Sequence, residues 1–317
     1  MQSSIPKLTI GLPTYKRPHA LTNSIQQILD QTFFDFELII VNDGSNDDTA
    51  KIVNGFEDKR IYFFENKKNL GVASTLNKII SLARGKYFIH LSDHDFYDKN
   101  LLLKCVLALD SNQASSLVMP GLFRFNNRKE KVRIDQLDWP FKNNGNEKLK
   151  EYLLQKNSFS FSFHALCMYR VQKLKEIGFF YEKNYSYFSD IDLNIRAIID
   201  SEFIYLENML IGVAERESFH PLNTYQVESL KILYDINFKF LNLLKIESVN
   251  SINFLNAKTY TLLKNCLCNS TARGLYNFKE TEEMININFP DSKNKFNRGP
   301  SVLKFCFYFI QNLLNRF

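Results

Sequence analysis

Residues 87–100 read YFIHLSDHDFYDKN, and the fold turns on how this stretch is taken. Tyr87, Phe88, Ile89 and Leu91 suit a buried strand; Asp93 and Asp95 follow, with His94 between them. A strand interior excludes such acids because an unpaired buried charge is expensive. They therefore mark a strand's end rather than its middle. In an extended segment positions i and i+2 point the same way, which would put both carboxylates on one side. Two carboxylates repel unless something positive sits between them. Oxygen-only ligands of this kind suit Mg²⁺ or Mn²⁺ bridged to phosphates. The plainer reading is a solvated turn that caps a helix beginning near Lys99.

Working outward decides between these. Lys7–Leu12 reads as a strand, and Pro18 fits the first position of a helix with Leu21, Ile25, Ile28 and Leu29 on one face. Phe36–Val41 is a continuous apolar run, hence a buried strand. Ser45 and Asp48 form a capping box for a short helix through Phe56. Arg60–Phe64 is a third strand. Val72, Leu76, Ile79, Ile80 and Ala83 recur at helical spacing, and Gly85 ends that helix. Lys86–Leu91 is the fourth strand, Leu101–Leu109 a helix and Ser116–Met119 extended. Strands alternating with helices over short links predict an α/β fold, a mostly parallel sheet flanked by helices on both faces. Ligands of such sheets bind beyond the carboxyl ends of the strands. Three polar segments occupy those ends: Pro13–Arg17, Asn42–Ser45 and Ser92–Asp95.

From Phe123 to Asn157 the pattern weakens, and Trp139–Pro140 and KNNGNEK read as loop. Ser158–Tyr169 reads as a strand pair, Val171–Ile177 as a short helix, and Ile191, Ile195, Ile198 and Ile199 as another. Phe203–Leu206 and Leu210–Ala214 read as two short strands. Beyond about Tyr225 the pattern is helical, near 226–247 and 251–268, with a last apolar helix at Ser301–Phe317. The expected domains are 1–225, in two halves (1–110 and 111–225), and a helical C-terminal extension, 226–317.

Composition narrows the function. The chain has 317 residues, 45% of them apolar, which is the balance of a folded protein rather than a disordered one. Its formal charge of +6 is compatible with phosphate-bearing ligands or an anionic membrane surface. No lysine run interleaves with aromatics and no zinc-finger spacing occurs, so no nucleic-acid partner is expected. Cys105, Cys167, Cys266, Cys268 and Cys306 are scattered and read as free thiols in a reducing cytoplasm. MQSSIPKLTI lacks the apolar core of a signal peptide, and no stretch of about 20 apolar residues spans a bilayer. A Rossmann dehydrogenase is disfavoured: GLPTYKRP stands where its G-x-G-x-x-G would be.

LTIGLPTYKRP, FELIIVNDGSNDDT and NKKNLGVASTLNKIISLARGKYFIHLSDHDF, in that order, resemble the nucleotide-binding half of family-2 glycosyltransferases of the GT-A fold. The resemblance covers residues 7–110, with SDHD in the slot of the family's D-x-D. It implies roles. Pro13, Thr14 and Tyr15 would line the base, and Asp43 would accept a hydrogen bond from the uracil N3–H. Asp93 would lie near ribose and metal, with His94 beside it in the nucleotide-sugar site, and Asp95 would ligate Mn²⁺ or Mg²⁺. Lys67 or Lys68, and Asn77, stand where the family contacts nucleotide or phosphate. Leu76 replaces a frequent Arg, a contact that Arg17 could supply instead.

YFSDIDLNIRA, 187–197, resembles the family's Glu-Asp-x-Asp/Glu-Leu followed by Arg, with Asp190 as the general base and Ser189 in place of the Glu. The bland reading of the same residues is a capping box, Ser189 with Asp192. His220 stands where some members place a His over the diphosphate or metal. Trp139 suits either an acceptor sugar or a core edge. The segment 293–317, basic then apolar, is compatible with peripheral membrane contact, with docking on the protein's own core, or with a homo-oligomer. The resemblance thus implies a cytoplasmic enzyme, free or peripheral at the inner face of the plasma membrane. It would be metal-dependent and inverting, and take a nucleotide-sugar donor, with UDP expected, and a glycan or lipid-linked saccharide acceptor in bacterial surface-polysaccharide synthesis. Its rival is a GT-A-like binding partner that has lost catalysis, suggested by Ser189 and Leu76.

Overall fold

A computed structural model describes residues 5–126, 131–135, 139–154, 166–179 and 189–214, together with 235–236, 239–240 and 243–244. The chain divides into two compact units, Met1–Tyr152 with Phe159–Glu215 and Leu153–Ser158 with Arg216–Phe317. In the second, the described residues at 235–236 and 239–240 are helical, and Ile236 and Phe240 are buried.

The first unit is built on one ten-stranded sheet. Its amino-terminal half is β1 (Leu8–Thr14), α1 (Pro18–Leu29), β2 (Phe36–Asn42), α2 (Thr49–Asn54), β3 (Ile61–Glu65), α3 (Val72–Leu82) and β4 (Tyr87–His90). Then come β5 (Phe96–Tyr97), α4 (Leu101–Ser111), β6 (Ser115–Phe125), β7 (Lys131–Asp135), β8 (Lys142–Asn144) and α5 (Gly145–Leu154). The remainder is β9 (Met168–Arg170), α6 (Val171–Ile177), α7 (Ser189–Ile198) and β10 (Glu202–Ala214). The sheet order is β3-β2-β1-β4-β9-β6-β10-β5, with β7 on β6 and β8 on β10. β1 pairs in parallel with β2 and β4, β2 with β3, and β6 with β10. β9 lies antiparallel between β4 and β6, so β6 and β10 still run the same way as β4.

The strand order reverses at β1, which has β2 on one side and β4 on the other. A crevice opens at such a switch point, beyond the carboxyl ends of the strands. Continuous apolar runs form these strands because helices cover both faces: β2 is buried along its whole length. Leu8, Ile10 and Leu12 join Leu38, Ile40, Ile89 and the α1 face Leu21, Ile25, Ile28 in one core. At the opposite, amino-terminal end of the strands, Glu37 on β2 is 2% exposed. It accepts hydrogen bonds from the Thr9 hydroxyl at 2.6 Å and from the Arg84 backbone N–H and Nε at 2.8 and 2.7 Å. That single carboxylate ties β1, β2 and the α3–β4 link together.

Several local readings need correction. Ser45 does not cap α2: its hydroxyl donates to Asn42 Oδ1 at 2.7 Å, and Asp47 Oδ1 accepts the Thr49 N–H at 3.0 Å instead. KNNGNEK is not loop; Lys142–Asn144 pairs with β10, and α5 begins at Gly145. The two short strands near 203–214 are one, β10, whose pairing with β6 shifts register around Glu207 and Asn208. Trp139 packs edge-on against Phe203 and Tyr205, with ring centroids 5.6 and 6.0 Å apart, and so covers the sheet.

Candidate active site

Residues 93–94 form a turn, so the extended-chain argument for aligning the two acids does not hold. They are brought together another way. Asp93 and Asp95 are buried, and His94 reaches both carboxylates, Nδ1 lying 3.0 Å from Asp93 Oδ1 and Nε2 3.9 Å from Asp95 Oδ1. Across the switch point, the Thr14 hydroxyl donates to Asp93 Oδ2 at 2.9 Å, and the Arg17 guanidinium donates to Oδ1 at 3.2 Å. Arg17 also lies 2.8 Å from His94 Nδ1. With its proton on Nε2, His94 accepts from Arg17 and turns its N–H toward Asp95; with the proton on Nδ1, it donates to Asp93. Burial would raise the Asp93 pKa, but hydrogen bonds from His94 and Thr14 and the Arg17 charge outweigh it and hold the carboxyl below its ordinary value.

The loop carrying these acids is held from beneath. Tyr97, 3% exposed, accepts the Ser92 N–H at 2.6 Å and donates its hydroxyl to the Ser92 carbonyl at 2.8 Å. Burial, with the Asp95 charge second, pushes the phenol far above its ordinary pKa, so it stays protonated. From α1, Gln27 accepts the Tyr97 N–H at 3.0 Å; just past the helix, Gln31 donates to the Asp98 carbonyl at 2.9 Å and accepts the Leu102 N–H at 3.1 Å. These supports escaped the sequence reading. The available signal was two glutamines four apart beside an apolar helix stripe.

Asp43, just past β2, is 4% exposed. Its Oδ1 accepts from Asn66 Nδ2 at 2.8 Å and Leu70 N–H at 2.9 Å, and its Oδ2 from Gly71 N–H at 2.9 Å. The following Gly44 has φ +76°, and a Cβ there would lie 2.4 Å from the Lys68 carbonyl carbon. The 66–71 loop is therefore draped directly on the Asp43–Gly44 turn. Lys16 N–H donates to the Ser45 hydroxyl at 2.9 Å, joining the ends of β1 and β2. Pro13 and Tyr15 flank Thr14 at this edge; Tyr15 and Lys67 are exposed, and Asn77 is half-buried on α3. Leu76 is in the core and offers phosphate nothing.

Asp190 belongs to another element, α7, whose first described residue is Ser189. Asp190 Oδ1 accepts the Ile191 N–H at 2.8 Å. Burial pushes its carboxyl from 3.8 up to about 6, against the pull of the backbone N–H groups of the first turn. After burial, the Asp190 charge also contributes to raising the Cys167 thiol and the Tyr169 hydroxyl. The β4–β9 register pairs Ile89 with Met168, so Cys167 flanks the carboxyl end of β4. Asp190 thus lies within electrostatic reach of Cys167 and Tyr169. Asp192 is fully buried and pairs with Arg196 Nε at 2.6 Å, and Arg196 also donates to the Ile177 and Phe179 carbonyls, each at 2.6 Å. His220 and the segment 293–317 lie outside the described residues.

A family model described as glycosyl transferase family 2 matches residues 9–178. The chain belongs to that family. It is thus a glycosyltransferase by family. It is 27% identical to an uncharacterized glycosyltransferase of Methanocaldococcus jannaschii over 81% of this chain and 87% of that protein. Rickettsial glycosyltransferases are matched over no more than 29% of their own length. Among solved structures, S. aureus TarS 1-349 in complex with UDP-GlcNAc aligns with a TM-score of 0.63 at 16% identity, over 92% of each chain. Mannosyltransferase PcManGT from Pyrobaculum calidifontis in complex with GDP-Man and Mn²⁺ aligns with a TM-score of 0.56 at 15% identity, over 94% of this chain and 89% of that one. The fold is GT-A. No helix among the described residues is long and apolar enough to cross a membrane.

Proposed function

We propose that this glycosyltransferase moves a sugar from a UDP-sugar to a hydroxyl of a glycan or lipid-linked saccharide, inverting the anomeric centre, in surface-polysaccharide assembly. The observation that carries the proposal is the hydrogen-bonded bridge of Thr14 and Arg17 to Asp93 across the switch point, with Asp95 buried beside it. This is the crevice where an open α/β sheet takes its ligand. TarS, of the same fold, has been crystallised with such a donor.

No group of three or more His, Cys, Asp or Glu side chains that could hold a metal occurs among the described residues. Two carboxylates in one loop nevertheless fit Mg²⁺ or Mn²⁺, which bind few protein oxygens and take the rest from phosphates and water. Asp95 and Asp93 would hold the ion, with His220 as a further ligand. When bound, it would supply positive charge against the departing diphosphate. The chain's residues do the rest. Pro13 and Tyr15 line the base, and Asp43 accepts its N–H. Arg17, Lys67 and Asn77 receive the phosphates, with His94 beside them.

Asp190 takes the proton from the acceptor hydroxyl, whose oxygen bonds to the anomeric carbon as the bond to the diphosphate oxygen breaks on the opposite face. A carboxylate with a pKa of about 6 is ionised at neutral pH yet more basic than an ordinary one. Cytoplasmic placement at a membrane's inner face, with 293–317 against lipid or a second copy, belongs to the same reading.

The test is a panel of nucleotide sugars with Mn²⁺, scored first by thermal stabilisation and then by nucleotide release with and without glycan acceptors. UDP-sugars should stabilise, and Asp190→Asn should bind UDP as the wild type does while losing transfer by about 10²–10⁴. Stabilisation by no UDP-sugar, or unimpaired transfer by Asp190→Asn, rejects the reading.

A further inference from the structure

The Asp43 carboxylate has about four lone-pair positions, and three are filled from within the chain. Two fillers are backbone N–H groups fixed by the loop. The third, Asn66, is a side chain with its own orienting partner. Lys78 Nζ donates to Asn66 Oδ1 at 2.7 Å and to the Glu65 carbonyl at 3.2 Å. An ammonium group only donates, so Asn66 must turn its oxygen to Lys78 and its amide nitrogen to Asp43. That nitrogen is shared with the Thr75 hydroxyl at 3.2 Å, and the Asn66 N–H is anchored on the Asn42 carbonyl at 2.8 Å. Asn66 is itself buried.

We infer that Asn66 and Lys78 are positioning residues that set nucleobase selectivity. Lys78 fixes the Asn66 amide, and Asn66 saturates Asp43 Oδ1. One acceptor position, on Oδ2, is thereby left facing the nucleotide. A base presenting an N–H there, such as uracil, is accepted. Cytosine, which presents a bare ring nitrogen at the same position, meets two lone pairs face to face and is rejected. Lys78 acts through the amide rather than by touching the carboxylate, so it fixes the aim of the hydrogen bond that Asn66 gives Asp43. This rests on the proposed contact between Asp43 and the base.

The test is calorimetric binding of UDP and of CDP, each with Mn²⁺, to wild type, Asn66→Ala, Lys78→Met and Lys78→Arg. Wild type should prefer UDP. Asn66→Ala should weaken UDP about tenfold and Lys78→Met about threefold, the scale of one charge-assisted hydrogen bond or its polarisation, with CDP changed less than twofold. Lys78→Arg should restore the preference. Equal weakening of UDP and CDP would mean that the pair only props the loop, and overturns the inference while leaving Asp43 at the base. A wild type that binds UDP and CDP alike overturns both. If Asn66→Ala fails to fold, the two Lys78 variants decide, since that side chain is partly exposed.

Discussion

Replacing Asp190 by asparagine removes a charge and keeps the shape. The side-chain oxygen can still accept the Ile191 N–H. What changes is the penalty of ionising a hemmed-in carboxyl. Its pKa stands at about 6 against an ordinary 3.8. At about 1.4 kcal/mol per unit, keeping it ionised in the fold costs about 3 kcal/mol. Asp190 retains some solvent contact, which screens the effect and brings the expected figure down to about 1–2 kcal/mol. The direction follows from proton linkage. Between about pH 4 and 6 the folded chain holds a proton that the unfolded chain has lost, so this group's contribution to stability falls as pH rises through that window. Asparagine has no such loss. In urea unfolding at pH 4 and pH 8, the stability of Asp190→Asn relative to wild type should rise by about 1–2 kcal/mol between the two conditions. The gain should come with loss of transfer, as when a site holds a strained group for its chemistry. A relative stability that is the same at both pH values, or lower at pH 8, would refute the reasoning.

Further outcomes follow from the same geometry. Transfer by the wild type should rise with pH, with a midpoint near pH 6 as Asp190 loses its proton, and level off above pH 7; a pH–rate profile of kcat checks this. Tyr97→Phe strands both polar groups of the Ser92 backbone and should cost about 2–3 kcal/mol in denaturant unfolding, with weaker Mn²⁺–UDP binding by calorimetry. Arg196→Met removes the guanidinium that pairs with the fully buried Asp192 and donates to two carbonyls, and should cost about 3–5 kcal/mol, read as a lower urea midpoint at unchanged slope. Gly44→Ala meets both a positive φ and the Lys68 backbone, so UDP affinity should fall along with an unfolding cost above about 1–2 kcal/mol.

The amino-terminal half was legible because its signals are local. Apolar runs, period-3.6 apolar faces and Pro18 announced β1 to β4 and α4 to within a few residues, whereas β5 was missed and α3 stops at Leu82, ahead of the expected Gly85. The far half of the sheet was not, because its strands are made by pairing rather than by pattern. Lys142–Asn144 is polar and becomes a strand only against β10. Glu207 and Asn208 read as a break in β10 but are taken up by a register shift beside Gly121, where a Cβ would crowd their carbonyls. In the site, the acids could be read from D-H-D and the strand before it. Their setting could not, since Thr14, Arg17 and Gln27 approach from elements distant in the chain. Ser45 misled for a related reason: its hydroxyl had a nearer partner in Asn42 than the helix it was expected to cap.

Glu37 fastens three segments at the amino ends of the strands, away from the crevice. The chassis is locked at its base, and the loops proposed to meet donor and acceptor project from the other end. Exchanging those loops for ones from another sugar-handling protein would leave the buckle closed, so re-engineering of this chain for a different sugar can be attempted one loop at a time.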